Sequence, residues 1–307
     1  MAKKLRNSIL TIANDKGGCT KTSIAVNLSS CFAQMDHKTV LFDTDPQGNA
    51  SLYLGFEKEY ENPNGKNIYN VIKNELSLDD VIVETKYENL YLIPSCAKLR
   101  DLKTDLSGSG REYEIFDFLI RDSKFMADVE QTLFDTHPDF DLYTIAALKC
   151  SHYYAIPIVP DLFSSAGLKK QILMTEKIRK YQNPMLTFLG IIISRFKKKN
   201  KAHQDFRDDL LEVSKSVKGM KILNTMIPES EAIPTSINLR TPINHYSNAK
   251  SGPVGAAFMA LAGELLPELK GQRKGRKLAP IDTNKVPDGI TFTKYDENLI
   301  QPGLVLQ

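Results

Sequence analysis

The sequence predicts an α/β fold: a mostly parallel, doubly wound sheet with helices on both faces. Three observations carry that reading. Short apolar runs alternate with stretches of helical period along most of the 307 residues, as parallel strands joined by crossover helices require. The run Phe188 to Ile193 is β-branched and almost uninterrupted, as expected of a strand covered on both faces. The first run leads into a Gly-rich loop and two later ones end in Asp43 and Asp135; ligands of such sheets bind at the carboxyl ends of strands.

Taken in order, Ile9 to Ala13 reads as a buried strand, and Asn14-Asp15-Lys16-Gly17-Gly18-Cys19-Thr20-Lys21-Thr22-Ser23 as the loop that follows it. A helix is expected from about Thr22 to Met35, a strand over Thr39 to Asp43, a short helical pattern near Asn67 to Asn74, and a strand over Leu90 to Pro94. Glu112 to Arg121 is amphipathic, with Ile115, Phe116, Phe118, Leu119 and Ile120 apolar. Gln131 to Asp135, Ala155 to Pro160 and Phe188 to Ile193 are further strands. Helices are expected at about Ala166 to Lys180, Gln204 to Val217 and Val254 to Leu269. The basic, Gly-containing break from Gly271 to Lys277 separates a domain over 1–270 from a linker and extended tail over 271–307, where Pro280, Pro287, Gly289, Pro302 and Gly303 leave no clear period.

Composition is that of a globular protein, with 25% charged and 42% hydrophobic residues. No apolar run reaches membrane-spanning length, and Ile9 to Ala13 is too short and interrupted for a signal-peptide core, so a cytoplasmic chain is expected. Cys19, Cys31, Cys96 and Cys150 show no pairing or metal spacing and are expected to be free thiols, and the five histidines are scattered. Net charge is only +3, but Arg195 to Lys277 holds 16 lysines and arginines against 8 acidic residues. Such asymmetry points to a surface that meets a polyanion; the plainer alternative is a solvated lysine-rich face.

Strand, Gly-rich loop, Lys-Thr and helix form the layout of a phosphate-binding loop. Glycines let backbone N–H groups turn inward around a phosphate, and the helix N-terminus adds its unpaired donors and positive dipole end. In that layout Lys21 reaches the β- and γ-phosphates and the Thr22 hydroxyl ligates Mg²⁺.

With a second lysine, Lys16, directly before the glycine pair, the loop resembles the deviant Walker A motif of the ParA/MinD group of dimeric ATPases. The resemblance spans about residues 8 to 270 and implies a P-loop fold binding ATP and Mg²⁺ through Lys16, Gly17, Gly18, Cys19, Thr20, Lys21, Thr22 and Ser23. It implies that Lys16 crosses a homodimer interface to the partner's nucleotide. Asp43-Thr44-Asp45-Pro46-Gln47-Gly48-Asn49 resembles the family's D-x-D-P-Q-G-N segment, which implies that Asp45 orients the attacking water and Asp43 lies near the metal's outer shell. Phe134-Asp135-Thr136-His137-Pro138 resembles its Walker B and second switch, with Asp135 holding Mg²⁺ through water. Ser194, Arg195 and Ile227-Pro228-Glu229 occupy the places near which the base packs. Two positions depart from the pattern. Thr20 stands where the family mostly has Gly, and a left-handed backbone there would strain a β-branched residue. His137 stands where Pro is usual.

Within the group, the Asp-Pro-Gln-Gly-Asn segment, Leu92 to Ser95 and Thr241 to Tyr246 look like partition ATPases. That implies a nucleoid-associated ATP dimer on non-specific DNA, stimulated by a centromere-binding partner protein. Lys197, Lys198, Lys199, Lys201, Lys218, Arg240 and Lys250 are the candidate DNA contacts. A MinD-like membrane ATPase would need a basic amphipathic C-terminal helix, but Asp296 to Gly303 is acidic and broken by Pro and Gly. An iron–sulfur relative would need two interface cysteines, and Cys96 and Cys150 are not in such contexts. A positioning ATPase for a protein cargo is the remaining alternative, against which the basic third counts.

Overall fold

The computed structural model describes residues 7–18, 20–102, 112–246, 248–271 and 280–288. Among them seven strands form one sheet in the order β3-β4-β2-β5-β1-β6-β7. They are β1 Ser8–Ile12, β2 Thr39–Asp43, β3 Val83–Glu84, β4 Leu90–Ile93, β5 Gln131–Asp135, β6 Tyr153–Ile158 and β7 Thr187–Ile193. Neighbours pair in parallel except at the short β3–β4 edge. The helices that position the site are α1 Lys21–Gln34, α2 Asn49–Leu54, α3 Leu142–Cys150, α4 Leu162–Tyr181, α5 Lys201–Ser216, α6 Ala232–Asn238 and α7 Asn248–Gly271.

Side chains alternate across each strand, so the period of two sorts every strand between two layers. Leu10, Ile12, Leu41, Tyr153 and Ala155 face the layer of α1 and α7, where Ile24, Leu28, Phe32, Phe258 and Leu261 are buried. Ile9, Val40, Phe42 and Phe134 face the opposite side, under Phe116 and Tyr143. Tyr154, Ile156 and Ile193 face that same side farther along, under Leu168 and Ile172 of α4 and Phe206 and Leu210 of α5. The doubly wound sandwich read from the sequence is therefore the architecture observed. In β7 the alternation slips once: Phe188 pairs with Tyr154 and Gly190 with Ala155, leaving Leu189 as the extra residue of a bulge.

Three features differ from the sequence reading. The β3 edge, α2 and α6 were not foreseen, being too short to show a period, and neither was α3, which is apolar nearly all round and so shows no distinct face. The last helix begins at Asn248, ahead of the expected Val254, across a kink at Gly252 with φ 53. Part of the expected tail is seated on the body: Ile281 and Val286 are buried beside α4 and β7. There the Asp282 N–H donates to the Lys218 carbonyl at 2.8 Å, and Lys169 pairs with Asp288 at 2.6 Å. Cys31, Cys96 and Cys150 are free thiols, and no described helix is long and apolar enough to cross a membrane.

Candidate functional site

The loop after β1 leaves the middle of the sheet, between β5 and β6. Its first residues are pinned on two sides. Asn14 donates through Nδ2 to the Pro157 carbonyl at 2.6 Å and accepts the Lys16 N–H at 3.0 Å. Gln171 of α4 accepts the Asp15 N–H at 2.8 Å and donates to the Ala13 carbonyl at 3.3 Å. Gly18 has φ +74 and open space where a Cβ would stand, so backbone conformation and not crowding calls for glycine there. Thr20 is left-handed as well, at φ 62 and ψ 18. Its carbonyl accepts the Ile24 N–H at 2.9 Å to start α1, and its hydroxyl donates to Ser194 Oγ at 2.7 Å. The buried Lys21 donates through Nζ to the Lys16 carbonyl at 3.1 Å, which folds the loop back over the start of the helix. Lys16 Nζ pairs with Asp161 beyond β6 at 2.8 Å. Cys19 lies outside the described residues.

Opposite the loop, β2 and β5 end side by side with Asp43 in register with Asp135. Both carboxyls are fully buried. Asp43 accepts the Ser51 N–H at 2.7 Å, the Ser51 hydroxyl at 2.6 Å and the Asp45 N–H at 3.3 Å. Burial nevertheless pushes its pKa up to about 7, with those hydrogen bonds pulling back and the Asp45 charge adding to the rise. Among the described residues, neither oxygen of Asp135 has a donor in full hydrogen-bonding geometry. Burial and then the Asp43 charge hold its pKa well above the carboxylate range, while Thr22 and Lys21 lie close enough to ease it. Asp45 accepts the Gln47 N–H at 2.8 Å, and its own carbonyl accepts the Ser95 hydroxyl at 2.6 Å. The turn passes through Gly48 at φ +64, where a Cβ would stand 2.3 Å from the Tyr60 ring.

Between these walls lies a cleft of about 500 Å³, with Gly17, Gly18, Lys21 and Thr22 on one side and Asp45, Gln47, Asn49, His137 and Pro138 on the other. His137 lines this cleft, and its Nδ1 stands 3.7 Å from the Asp139 carboxylate. An adjoining pocket of about 320 Å³ is lined by Ile24, Ile227, Pro228, Ile233 and Phe258, with Ser194, Arg195 and Glu229 as polar neighbours. Thr20 and Ser23 line both cavities. Motif residues from three strand ends are thereby gathered at one cleft, and Ile227 and Pro228 at the pocket beside it.

No group of three or more His, Cys, Asp or Glu side chains among the described residues could hold a metal. What stands here is a hydroxyl, Thr22, and two buried carboxyls, one with both oxygens lacking donors in full hydrogen-bonding geometry among the described residues. That all-oxygen set fits a hard divalent cation completed by ligand oxygens and water, and does not suit a soft metal. Sequence reading missed Asp161 and Gln171, the partners of the loop, because a lone Asp after a strand and a Gln within a helix carry no signal of their own.

The basic residues are not gathered in the same way. Lys197 and Arg195 both pair with Glu229, at 2.7 and 2.9 Å, while Lys198 and Lys199 are exposed between β7 and α5 and Lys201 pairs with Asp205 at 2.8 Å. Lys218 stands toward the other end of β7, since Ile222 bridges Ile191 while Pro228 bridges Phe196. Arg240 pairs with Glu57 and packs over Gly55, just after α2, across the sheet from β7. The Lys250 side chain lies outside the described set.

Residues 7–188 match the protein family AAA_31, described as an AAA domain. The chain is 26% identical over 262 residues to the chromosome partitioning protein ParA of Caulobacter vibrioides, covering 84% of this chain and 93% of that one. It is also 26% identical over 264 residues to the sporulation initiation inhibitor protein Soj of Bacillus subtilis, covering 84% and 97%. Cobyrinic acid a,c-diamide synthase from Mycobacterium smegmatis, solved with ADP and magnesium, shares the fold with a TM-score of 0.70 at 20% identity, over 89% of this chain and 98% of that one.

Proposed function

Since the chain belongs to the AAA_31 family of AAA domains and is a P-loop ATPase of the ParA/MinD type, most like the ParA partition proteins, we propose that it is an ATP-dependent DNA partition ATPase. Its ATP-bound dimer holds non-specific DNA, and hydrolysis releases it. One observation carries the reading: the loop with Lys16 and Lys21, the Asp43–Asp45 strand end and the Asp135 strand end converge on one cleft that opens toward an apolar pocket. Triphosphate fits the polar cleft and adenine the apolar pocket against Ile227 and Pro228. The solved relative with ADP and magnesium supports the same ligand class.

Phosphoryl transfer spreads negative charge over the γ-oxygens and the leaving oxygen. Lys21, released from the Lys16 carbonyl, and the backbone N–H groups of Gly17 to Ser23 take up that charge. Asp45, held by Gln47 and Ser95, accepts a hydrogen bond from the attacking water and aims it. Thr22, Asp135 and Asp43 are the residues that would hold Mg²⁺, which when bound would supply positive charge against the phosphate oxygens. Lys16 exchanges Asp161 for the partner subunit's nucleotide, so ATP joins two subunits and hydrolysis loosens them. A dimer gated by nucleotide is a switch, and a slow, partner-stimulated turnover suits it.

DNA binding in this reading comes from Lys197, Lys198, Lys199, Lys218, Arg240 and Lys250, summed over two subunits. DNA retention with ATP, ADP and no nucleotide across a salt series tests it: retention should need ATP, fall steeply with salt and ignore sequence. The dispersal of these residues over separate parts of the surface favours one second reading, a ParA-like ATPase that positions a protein cargo. Failure of the ATP-bound protein to retain DNA at low salt would select that reading instead.

A further inference from the structure

Thr20 sits where the polar cleft meets the apolar pocket. A β-branched residue at φ 62 is strained, because Cβ crowds the neighbouring backbone, and such a residue persists only where its surroundings hold it. The hold is visible here. Thr20 Oγ1 donates to Ser194 Oγ at 2.7 Å, and Ser194 Oγ donates onward to the Ile158 carbonyl at 3.1 Å. Ser194 is fully buried after the end of β7 and lines the apolar pocket. The Thr20 hydroxyl does not cap α1, so this bond is not incidental to starting the helix. Glycine would adopt the same backbone without strain and would leave no side chain at the junction.

We infer that the Thr20–Ser194 pair is a bar across the junction of the two cavities, and that it sets which ligands bind tightly. A ligand spanning both cavities, a nucleoside di- or triphosphate, must open it. A ligand confined to the polar cleft, such as inorganic tripolyphosphate, need not. The inference rests on the nucleotide reading of these cavities. Thr20 then weakens nucleotide binding selectively, by the worth of one buried hydrogen bond, roughly three- to tenfold.

The test is calorimetric titration of the full-length wild type, T20G and S194A with ADP and, separately, with inorganic tripolyphosphate, both with Mg²⁺. Both variants should bind ADP roughly three- to tenfold more tightly, and S194A, which leaves the phosphate loop's own residues unchanged, should bind tripolyphosphate as the wild type does. Ligand-free T20G should melt at or above the wild-type temperature, since the strain is gone. Equal ADP affinity in all three proteins overturns the bar, and so does an equal gain for both ligands in S194A, which would signify a remodelled loop. If the wild type and both variants melt cooperatively but bind neither ligand, the nucleotide reading falls and the bar with it. ADP binding that no substitution changes removes the bar alone.

Discussion

At the carboxyl ends of β1, β2 and β5, motif residues from three separate stretches of the chain meet at one cleft, whereas Lys197, Lys218 and Arg240 stand on separate parts of the surface. Gly17, Gly18, Lys21 and Thr22 face Asp45 and His137 across one cleft. Lys197, Lys218 and Arg240 stand beyond the end of β7, near its start and beside Glu57 respectively. The difference follows from what each task demands. Cradling a phosphate requires donors placed to a fraction of an ångström, which a strand, a tight loop and a helix start supply locally. Attraction to a polyanion requires only summed charge, so each cation is placed by where the chain happens to run. In the cleft single residues should therefore be decisive, and on the basic surface effects should be shared.

The largest effect is expected for Lys21→Ala, which should lower ATP affinity on the order of 100-fold or abolish it, because a buried charge contact to phosphate is lost. Near-normal binding by calorimetry would break the comparison at its stronger side. Asp45→Ala comes next. Turnover should fall on the order of 100-fold while ATP still binds, and the ATP-bound dimer should accumulate in sedimentation; unchanged turnover would refute the water-orienting role. Lys16→Ala should keep ATP affinity within a few-fold and lose the dimer formed with a slowly hydrolysed analogue, seen by light scattering.

On the basic side, Lys197→Glu or Arg240→Glu should each leave ATP hydrolysis intact and flatten the slope of log affinity against log salt by about 0.9 per lost phosphate contact. A single substitution that erased DNA retention would show a focused site and end the contrast. The smallest effect concerns the paired acids. Asp43 is raised from its ordinary 3.8 to about 7 by burial, so the folded state holds that proton more tightly than the unfolded chain. Its stabilising contribution is fully present below 3.8 and is lost as pH rises through about 7. Asp135 shifts in the same direction. Without divalent cations the melting temperature should therefore drop by about 2–4 °C for each kcal/mol so lost, and less in Asp135→Asn. An equal decline in both proteins would exclude this pair as its source.

Much of the molecule was legible before folding. The strands centred on Leu10, Leu41, Leu92, Leu133, Ile156 and Ile191 are apolar runs of the right length, and both acids emerge at strand ends as read. The short pieces were not legible: α2, α6 and β3 carry too few residues for a period to emerge, and they form because the body supplies partners, such as Ser236 against Tyr53. The docking of Ile281 and Val286 was equally hidden, since two apolar residues in a Pro-rich tail look like any exposed pair until β7 and α4 present a surface for them.

By itself the sequence determined the doubly wound sheet, the phosphate loop and the acids that face it, because hydrophobic period, glycine and strand-end position are local properties of the chain. Only the tertiary structure decided that Asp43 and Asp135 share a buried register, that Asp161 holds Lys16, that Ser194 holds a left-handed Thr20, and that the basic residues lie apart. Each of these depends on bringing together residues separated by tens to more than a hundred positions, and such distances are set by the packing of whole strands and helices, which no local pattern encodes.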